Sequence, residues 1–402
     1  MGQQQFAASW PAGGYESHEW VGKVDAFRTS SYLSGMTGQS YNAFIPPLIA
    51  DSAYLPSPST AALAEEAAQA ISRFDERYGE HVRPFAALLL RSESAASSRI
   101  ENLTASARSL AEAELGVDDR ANATLIVRNV RAMESALAAA DNLAPQSILD
   151  MHRALMHDSN DAEIAGQWRD EQVWIGSSHV SPIGADFVPP HHSRVPALME
   201  DVMDYARRTD LPAMVQGAVA HAQFETIHPF TDGNGRTGRA LLHAMLKHRG
   251  VASHVTVPVS AGLLANVTNY HDALTAYRAG NPEPIITVTA EASFLAIDNG
   301  TRLADDVVTI TESWASKITA RRDSAVWPVL DLLARQPVVN AAVLETKLGL
   351  DYMRQKRALD VLEAAGVVVG VDKFKKGRFW RAPEMLEALD AFAERAGRRS
   401  RG

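Results

Sequence analysis

The sequence predicts a mainly α-helical chain with one small β-hairpin and, at the C-terminal end, a compact unit of three helices and a two-stranded ribbon. Three observations lead there. Apolar residues recur at helical spacing through most of residues 60–318. Residues that favour strands gather in only a few short runs bounded by Gly, Ser and Pro. The 402 residues, 46% hydrophobic and 22% charged, have the balance of ordinary globular domains, and the length allows two or three of them.

Residues 1–40 mix Gly, Ser, Gln and aromatics without a period, and are read as a wrapping or loose lead that carries no chemistry. Tyr41–Ala50 is apolar but broken by Pro46 and Pro47, so it reads as extended. Pro56, Ser57, Pro58 and Ser59 then open a helix over about Thr60–Tyr78. Helical patterns follow over about Pro84–Ser94, Leu103–Leu115, Asn122–Asp141, Ala144–Met156, Pro196–Thr209, Pro212–Ile227 and Arg236–His248. Gln172–His179 is rich in strand formers and followed by Gly184, Pro189 and Pro190, which predicts the hairpin. After Gly280-Asn281-Pro282 a long helix is expected over about Pro284–Ile318, and the composition changes near Arg321–Ser324. These breaks suggest an N-terminal extension over 1–140, a central domain over 141–320 and a C-terminal domain over 321–402.

From Ala325 the pattern is helix, helix over Asn340–Leu348, turn at Gly349, helix over Asp351–Ala365, strand Val367–Val371, a basic turn Asp372–Gly377 and strand Arg378–Arg381, with two short helical turns after it. That order is the pattern of a winged helix-turn-helix.

Composition removes several functions. The chain has no cysteine, so thiol nucleophiles, disulfides and Cys-ligated zinc or iron–sulfur sites are excluded. No apolar run approaches the ~18 residues that span a bilayer. The N-terminus Met1–Phe6 has neither a basic start nor an apolar core, and Phe6 stands where a myristoylation signal needs Ser or Thr. A cytoplasmic protein without a membrane partner is the expectation. Net charge is −9 overall, but residues 321–402 hold 16 Lys and Arg against 11 Asp and Glu. The tail is therefore +5 on a body of −14. It either meets an anionic partner or presents a solvated basic surface.

One segment concentrates chemistry: His228-Pro229-Phe230-Thr231-Asp232-Gly233-Asn234-Gly235-Arg236-Thr237-Gly238-Arg239, which joins two predicted helices. His228 can act as a base near neutral pH. Asp232 offers oxygen to a hard cation. Gly233-Asn234-Gly235 lets backbone N–H groups converge at the positive end of the next helix, an anion nest. Arg236 and Arg239, three apart, fall on one side of that helix and suit phosphate oxygens. Together these describe phosphoryl or nucleotidyl transfer. The glycine spacing departs from the P-loop, so ordinary ATPase chemistry is disfavoured.

This segment resembles the Fic family of protein adenylyltransferases, whose signature is His-Pro-Phe-x-Asp/Glu-Gly-Asn-Gly/Lys-Arg-x-x-Arg; residues 228–239 satisfy every specified position. The resemblance runs back through Gly166-Gln167-Trp168-Arg169 and the hairpin, which looks like the family's substrate-aligning flap, and forward to Tyr270. It implies a Fic helical core and transfer of AMP from ATP to a Ser, Thr or Tyr hydroxyl of a target protein, or of the chain itself. His228 would be the base and Asp232 the ligand of Mg²⁺. Gly233, Asn234, Gly235, Arg236, Thr237, Gly238 and Arg239 would bind the nucleotide. Ile175, Gly176, Ser177 and Ser178 of the flap would border the nucleotide and pair with the target by strand addition, and Tyr270 would line the adenine pocket or serve only as packing. Ser97-Ser98-Arg99-Ile100-Glu101-Asn102 matches the family's inhibitory pattern Ser/Thr-x-x-x-Glu-Gly/Asn, which implies that Glu101, framed by Ser97 and Asn102, takes Arg239 from the γ-phosphate. In some relatives the same glutamate supports removal of AMP.

The remaining candidates are weaker in number and spacing. His179, His191 and His192 lack the carboxylate or further His spacing of a metal site, and His221 is read as core. In the C-terminal domain, Tyr352, Arg354, Gln355, Lys356 and Arg357 are recognition-helix candidates, and Lys373, Lys375, Lys376, Arg378 and Arg381 form the wing. These cations suit DNA phosphates with a steep salt dependence. Phe374, Phe379 and Trp380 suit protein contact or a homodimer instead, so a DNA-binding regulator with a nucleotide-sensing or AMP-removing body is the alternative function.

Overall fold

A computed structural model describes residues 10–21, 38–79, 83–117, 120–157, 162–176, 180–373 and 376–397. The chain divides into two compact units. The first holds Met1–Glu65, Ser135–Arg249 and Thr268–Val288; the second holds Glu66–Glu134, Gly250–Val267 and Thr289–Gly402.

Strands β1 (Gly14–Glu19) and β2 (Ser40–Ile45) form an antiparallel pair in the first unit, in register from Gly14 opposite Ile45 to Glu19 opposite Ser40. Helix α1 (Pro58–Gly79) begins beside Glu283, whose carboxylate accepts from the Ser57 amide and hydroxyl and from Tyr54. The centre is α7 (Ala213–Ile227), buried on every side from Met214 to Ile227, its polar residues Gln216, His221, Gln223, Glu225 and Thr226 included. Around it lie α5 (Pro145–Met156), α6 (Val195–Ala206), α8 (Asn234–His248) and α10 (Val267–Arg278). α7 and α8 approach closely through two glycines. A Cβ on Gly217 would stand 2.9 Å from Leu242, and one on Gly238 would stand 2.8 Å from Phe224.

The second unit is built on α2 (Arg83–Ile100), which packs against α9 (Val259–Leu264), α12 (Val326–Arg335) and α15 (Pro383–Ala396). Between α2 and α12 in the chain come α3 (Ala107–Glu114), α4 (Ala121–Ala138) and the long α11 (Glu283–Lys317). The C-terminal part runs α12, β3 (Val338–Asn340), α13 (Ala341–Leu348), α14 (Tyr352–Ala364), β4 (Val369–Lys373), β5 (Gly377–Arg381), α15, with antiparallel strand order β3-β5-β4. Asn340 and Asp351 cap α13 and α14 through their side chains, and Gly349 ends α13 left-handed at φ 63°. No helix among the described residues is long and apolar enough to cross a membrane.

Several elements differ from expectation. β1 lies in the segment read as aperiodic: its residues alternate half-buried and exposed, with polar side chains on both faces, so no apolar period marks it. The hairpin expected over Gln172–His179 is, among the described residues, a single antiparallel bridge between Ile175 and Phe187, with N–H···O distances of 2.8 and 3.0 Å. Its partner lies across a loop rather than a tight turn. α2 continues beyond Ser94 to Ile100, with the Ser98 hydroxyl donating to Ser94 O at 2.8 Å and Asn129 donating to Ser94 O and to the Ser98 hydroxyl. α9, α10 and β3 were not expected. The two short turns expected at the end are one helix, α15.

Asp75 of α1 is the tie on which the 253–255 loop depends. Its carboxylate accepts from the amides of Ser253 (3.0 Å), His254 (2.8 Å) and Val255 (2.7 Å) and lies 2.9 Å from His254 Nδ1. Burial raises its pKa, but these hydrogen bonds, Val255 first, outweigh burial and hold it below the ordinary carboxylate value. A depressed native pKa contributes stability above the unfolded value, and the contribution is lost as pH falls through the native one. Asp75→Ala should therefore lose about 3 kcal/mol at pH 7 by urea unfolding. It should also show less acid destabilisation below about pH 4 than the parent chain.

Candidate active site

The end of α7 and the start of α8 enclose the loop that holds His228 and Asp232. α7 closes with His228 N–H on Phe224 O (2.9 Å), and His228 then turns left-handed at φ 51°, ψ 61°. Such a conformation is unfavourable for a residue with a Cβ, and His is one of the residues that reach it. Arg169 holds the turn. Its backbone N–H donates to Pro229 O (3.0 Å), its Nε to His228 O (2.8 Å), its Nη1 to Glu171 O (2.9 Å) and its Nη2 to Pro190 O (2.5 Å). Burial lowers this guanidinium to about 10, which leaves it charged at neutral pH. The His228 Nδ1 faces Glu225 O at 3.4 Å, and the ring is half-buried.

Two further ties set the loop. Asn234 accepts from Phe230 N–H and donates to Phe230 O, both at 2.8 Å, closing the loop on itself. His152 accepts from Gly166 N–H at Nδ1 (3.0 Å), so its Nε2 carries the proton and donates to Asp232 O (3.1 Å). Its ring lies on Phe230 with centroids 3.7 Å apart and planes at 7°, and Trp168 stacks on Phe230 as well. Gly233 enters α8 at φ 80°, where a Cβ would also stand 2.9 Å from Leu155.

The first amides of α8 have no carbonyl behind them in the helix, so Asn234, Gly235 and Arg236 present the positive end of the dipole. Arg236 is 4% exposed; its Nη2 is 3.2 Å from Asp232 Oδ2, while its Nε and Nη1 are buried with no hydrogen-bond partner among the described residues. Asp232 itself is exposed. Arg239 is 1% exposed, on the same side of the helix as Arg236. Thr237 is fully buried, and Gly238 serves the close approach to α7. Loop, dipole and cations thus converge on a place suited to an anion beside an imidazole.

Tyr270 is buried with its hydroxyl 2.8 Å from His221 Nε2, and burial holds His221 down to about 3, a neutral core histidine as expected. Ile175 forms the bridge to Phe187, and Gly176 follows at φ 153°, while Ser177, Ser178 and His179 lie outside the described residues. His191 stacks on His18 at 4.3 Å and lies 4.0 Å from His192; no group of three or more metal-ligating side chains suited to an ion occurs among the described residues. Ser97 is buried, Glu101 is exposed one residue past α2, and Asn102 is left-handed at φ 61°.

The wing cations are turned to the chain itself. Lys373 donates to Val117 O, Lys376 to Gly116 O (3.0 Å), Arg378 pairs with Glu363 (3.4 Å) and Arg381 with Glu112 (2.5 Å). Phe379 is core and packs with Ala111, Val117, Val338 and Leu386, which corrects its reading as a contact residue. Gln355 is buried and donates to Leu350 O (2.7 Å) and Ala341 O (3.2 Å), so it too leaves the recognition set, while Tyr352, Arg354, Lys356 and Arg357 are exposed. Phe374 and Lys375 lie outside the described residues.

Sequence reasoning did not find His152, whose burial pulls its pKa down to about 4 against the opposing pull of the Asp232 carbonyl. A lowered histidine pKa contributes stability that is complete above the unfolded value near 6.5 and is lost as pH falls toward 4. Nitrogen-15 NMR should therefore show a neutral ring protonated at Nε2 down to about pH 4. An imidazolium already formed at pH 6 would contradict this loop geometry. His152→Ala should cost about 2–4 kcal/mol of stability.

Residues 142–246 match the Fic/DOC family. Protein adenylyltransferase fic-1 of Caenorhabditis elegans is 28% identical over 160 residues, 39% of this chain and 28% of that protein. Probable protein adenylyltransferase aq_aa38 of Aquifex aeolicus (strain VF5) is 37% identical over 93 residues, 21% of this chain and 29% of that protein. The chain thus spans less than a third of the length of these two relatives. A crystal structure of a Fic family protein from Desulfovibrio desulfuricans G20 superposes with a TM-score of 0.52 at 21% identity, covering 82% of this chain and 97% of that one, a likeness of fold. The loop from His228 to Arg239 and the helices that flank it lie within or at the edge of the residues that match the Fic/DOC family.

Proposed function

We propose that this chain is a protein adenylyltransferase that moves AMP from ATP to a side-chain hydroxyl of a protein. The observation that carries the reading is Arg236: two buried guanidinium nitrogens without partners at the positive end of α8, beside a histidine held in a strained turn. Unpaired buried donors are costly, and an anionic ligand repays that cost. His228, with Nδ1 toward Glu225 O, takes the hydroxyl proton at Nε2. The hydroxyl oxygen then bonds to the α-phosphorus, the bond from that phosphorus to the bridging oxygen breaks, and pyrophosphate leaves with the electron pair. Gly233, Asn234, Gly235, Arg236 and Arg239 stabilise charge on the phosphates. Asp232, one exposed carboxylate beside a phosphate site, fits Mg²⁺, which is commonly held by one or two carboxylates and substrate oxygens and would neutralise phosphate charge there. The bridge at Ile175 offers an edge for the target's backbone.

Glu101 restrains the transfer by competing with the γ-phosphate for Arg239. The local backbone supports this reading of the motif. α2 ends with Glu101 N–H and Leu103 N–H on Ser98 O (3.1 and 3.0 Å), and the left-handed Asn102 lets the chain turn away so that the Glu101 side chain faces outward. Gly or Asn is the residue type that such a turn favours. The C-terminal helices and strands are read as a winged helix turned to protein contact, since its described wing cations already hold carbonyls and carboxylates of the chain.

Mass spectrometry of the chain incubated with ATP, Mg²⁺ and host lysate tests the proposal. An AMP adduct should appear on a protein hydroxyl and vanish with His228→Ala. Glu101→Gly should raise adduct formation about 10–100-fold, the worth of one charge-assisted pair. No adduct with either the parent or Glu101→Gly would leave a fold without this activity.

A further inference from the structure

The second unit contains a cavity of about 260 Å³ that plays no part in the chemistry above. It lies among α2, α3, α4 and α15, and much of its wall is alanine, Ala95, Ala96 and Ala393 among them, with Leu110, Ile126 and Phe392 behind. Larger side chains at these alanines would fill such a void, and an unfilled one forfeits packing. For scale, an apolar cavity of about 150 Å³ takes up benzene. The space therefore suits one or two fused rings.

Three charged side chains border the cavity, two guanidiniums and one carboxylate, and one of the guanidiniums has no carboxylate partner among the described residues. Arg91 pairs with Glu114 at 2.6 Å. The Asp390 carboxylate accepts the Ala107 amide at the start of α3 (2.7 Å). Arg99 donates to the Ala393 carbonyl from Nη1 (2.9 Å), and no carboxylate among the described residues pairs with it. Its Nη2 lies 2.5 Å from where a Cβ on Gly397 would stand, so a side chain there would displace the guanidinium. An apolar hollow bordered by a lone guanidinium fits a small amphipathic anion.

We propose that this cavity is a binding site for a small aromatic carboxylate, its ring among the alanines and its carboxylate on Arg99. Occupancy would also hold the last turn of α2 and the Leu103–Ala105 segment, which line the cavity. Any effect of that on AMP transfer rests on the role proposed for Glu101, whereas binding itself does not.

The probe is 2-naphthoate, with 2-naphthol as its neutral counterpart, measured by calorimetry on the full chain. 2-Naphthoate should bind with a dissociation constant below about 1 mM, at least about tenfold tighter than 2-naphthol, and Arg99→Gln should remove most of that difference. Binding should slow hydrogen exchange of the Leu103 and Ala105 amides. Ala96→Leu should weaken both probes by occupying the space. If that variant melts early, NMR contacts between naphthoate protons and the Ala96 and Ile126 methyls in the parent chain replace it. Absence of binding by both probes at millimolar concentration, equal binding of both, or naphthoate affinity unchanged in Arg99→Gln would each overturn the assignment, as would naphthoate contacts mapping to residues outside the cavity. AMP transfer assayed with and without naphthoate is a separate reading: unchanged transfer with intact binding rejects the regulatory link alone.

Discussion

Arg169 organises the site without contributing a group to its chemistry. Five carbonyls, those of Ile227, His228, Pro229, Glu171 and Pro190, converge on its side chain and amide. A neutral donor could satisfy one or two of them; a planar guanidinium with five N–H groups satisfies several in fixed directions. The left-handed backbone at His228 persists because those bonds over-determine it. A flexible helix end would let the imidazole wander over several ångströms. Here the imidazole is placed by the backbone, and the backbone is placed by a buried charge whose own electrostatic demand is met by oxygen dipoles.

What could be read in the sequence follows from how far apart the interacting residues lie. The groups of the 228–239 segment lie within a few residues of one another, so residue type and spacing were enough to bring the imidazole, the glycine turn and the two arginines to one helix junction. The supports are distant: His152 reaches Asp232 across 80 positions, and Arg169 reaches His228 across 59. A lone histidine on an amphipathic helix has no local mark that separates it from core. β1 was missed for a related reason, since its partner strand, not an apolar face of its own, makes it a strand. The 172–179 segment erred the other way, because strand-forming residues without a close partner yield one bridge.

In the second unit, the basic excess of the tail is open in sequence to two readings, an anionic partner or a solvated basic surface. Lys373 and Lys376 of its wing donate to the carbonyls of Val117 and Gly116, just past the end of α3. Helix C-termini attract cations through their unsatisfied carbonyls and dipole. Net charge thus described a surface before folding, and packing assigned part of it to internal use. The same contact joins α3 to the core cluster of Val338, Phe379 and Leu386, so the C-terminal strands and the segment after α2 form one packed body.

Two of the buried arginines, Arg169 and Arg236, differ in meaning. Arg169 has its bonds made by protein, and its burial is therefore settled at folding. Arg236 has one ion pair with an exposed aspartate and two nitrogens left over, so its burial is completed only by something the chain does not supply. An interior tolerates such a deficit where a ligand of the right sign visits, since the desolvation has been met in advance and each new bond forms in a low-dielectric place. The contrast between a satisfied and an unsatisfied guanidinium, one on each side of a single loop, separates the scaffold from the site.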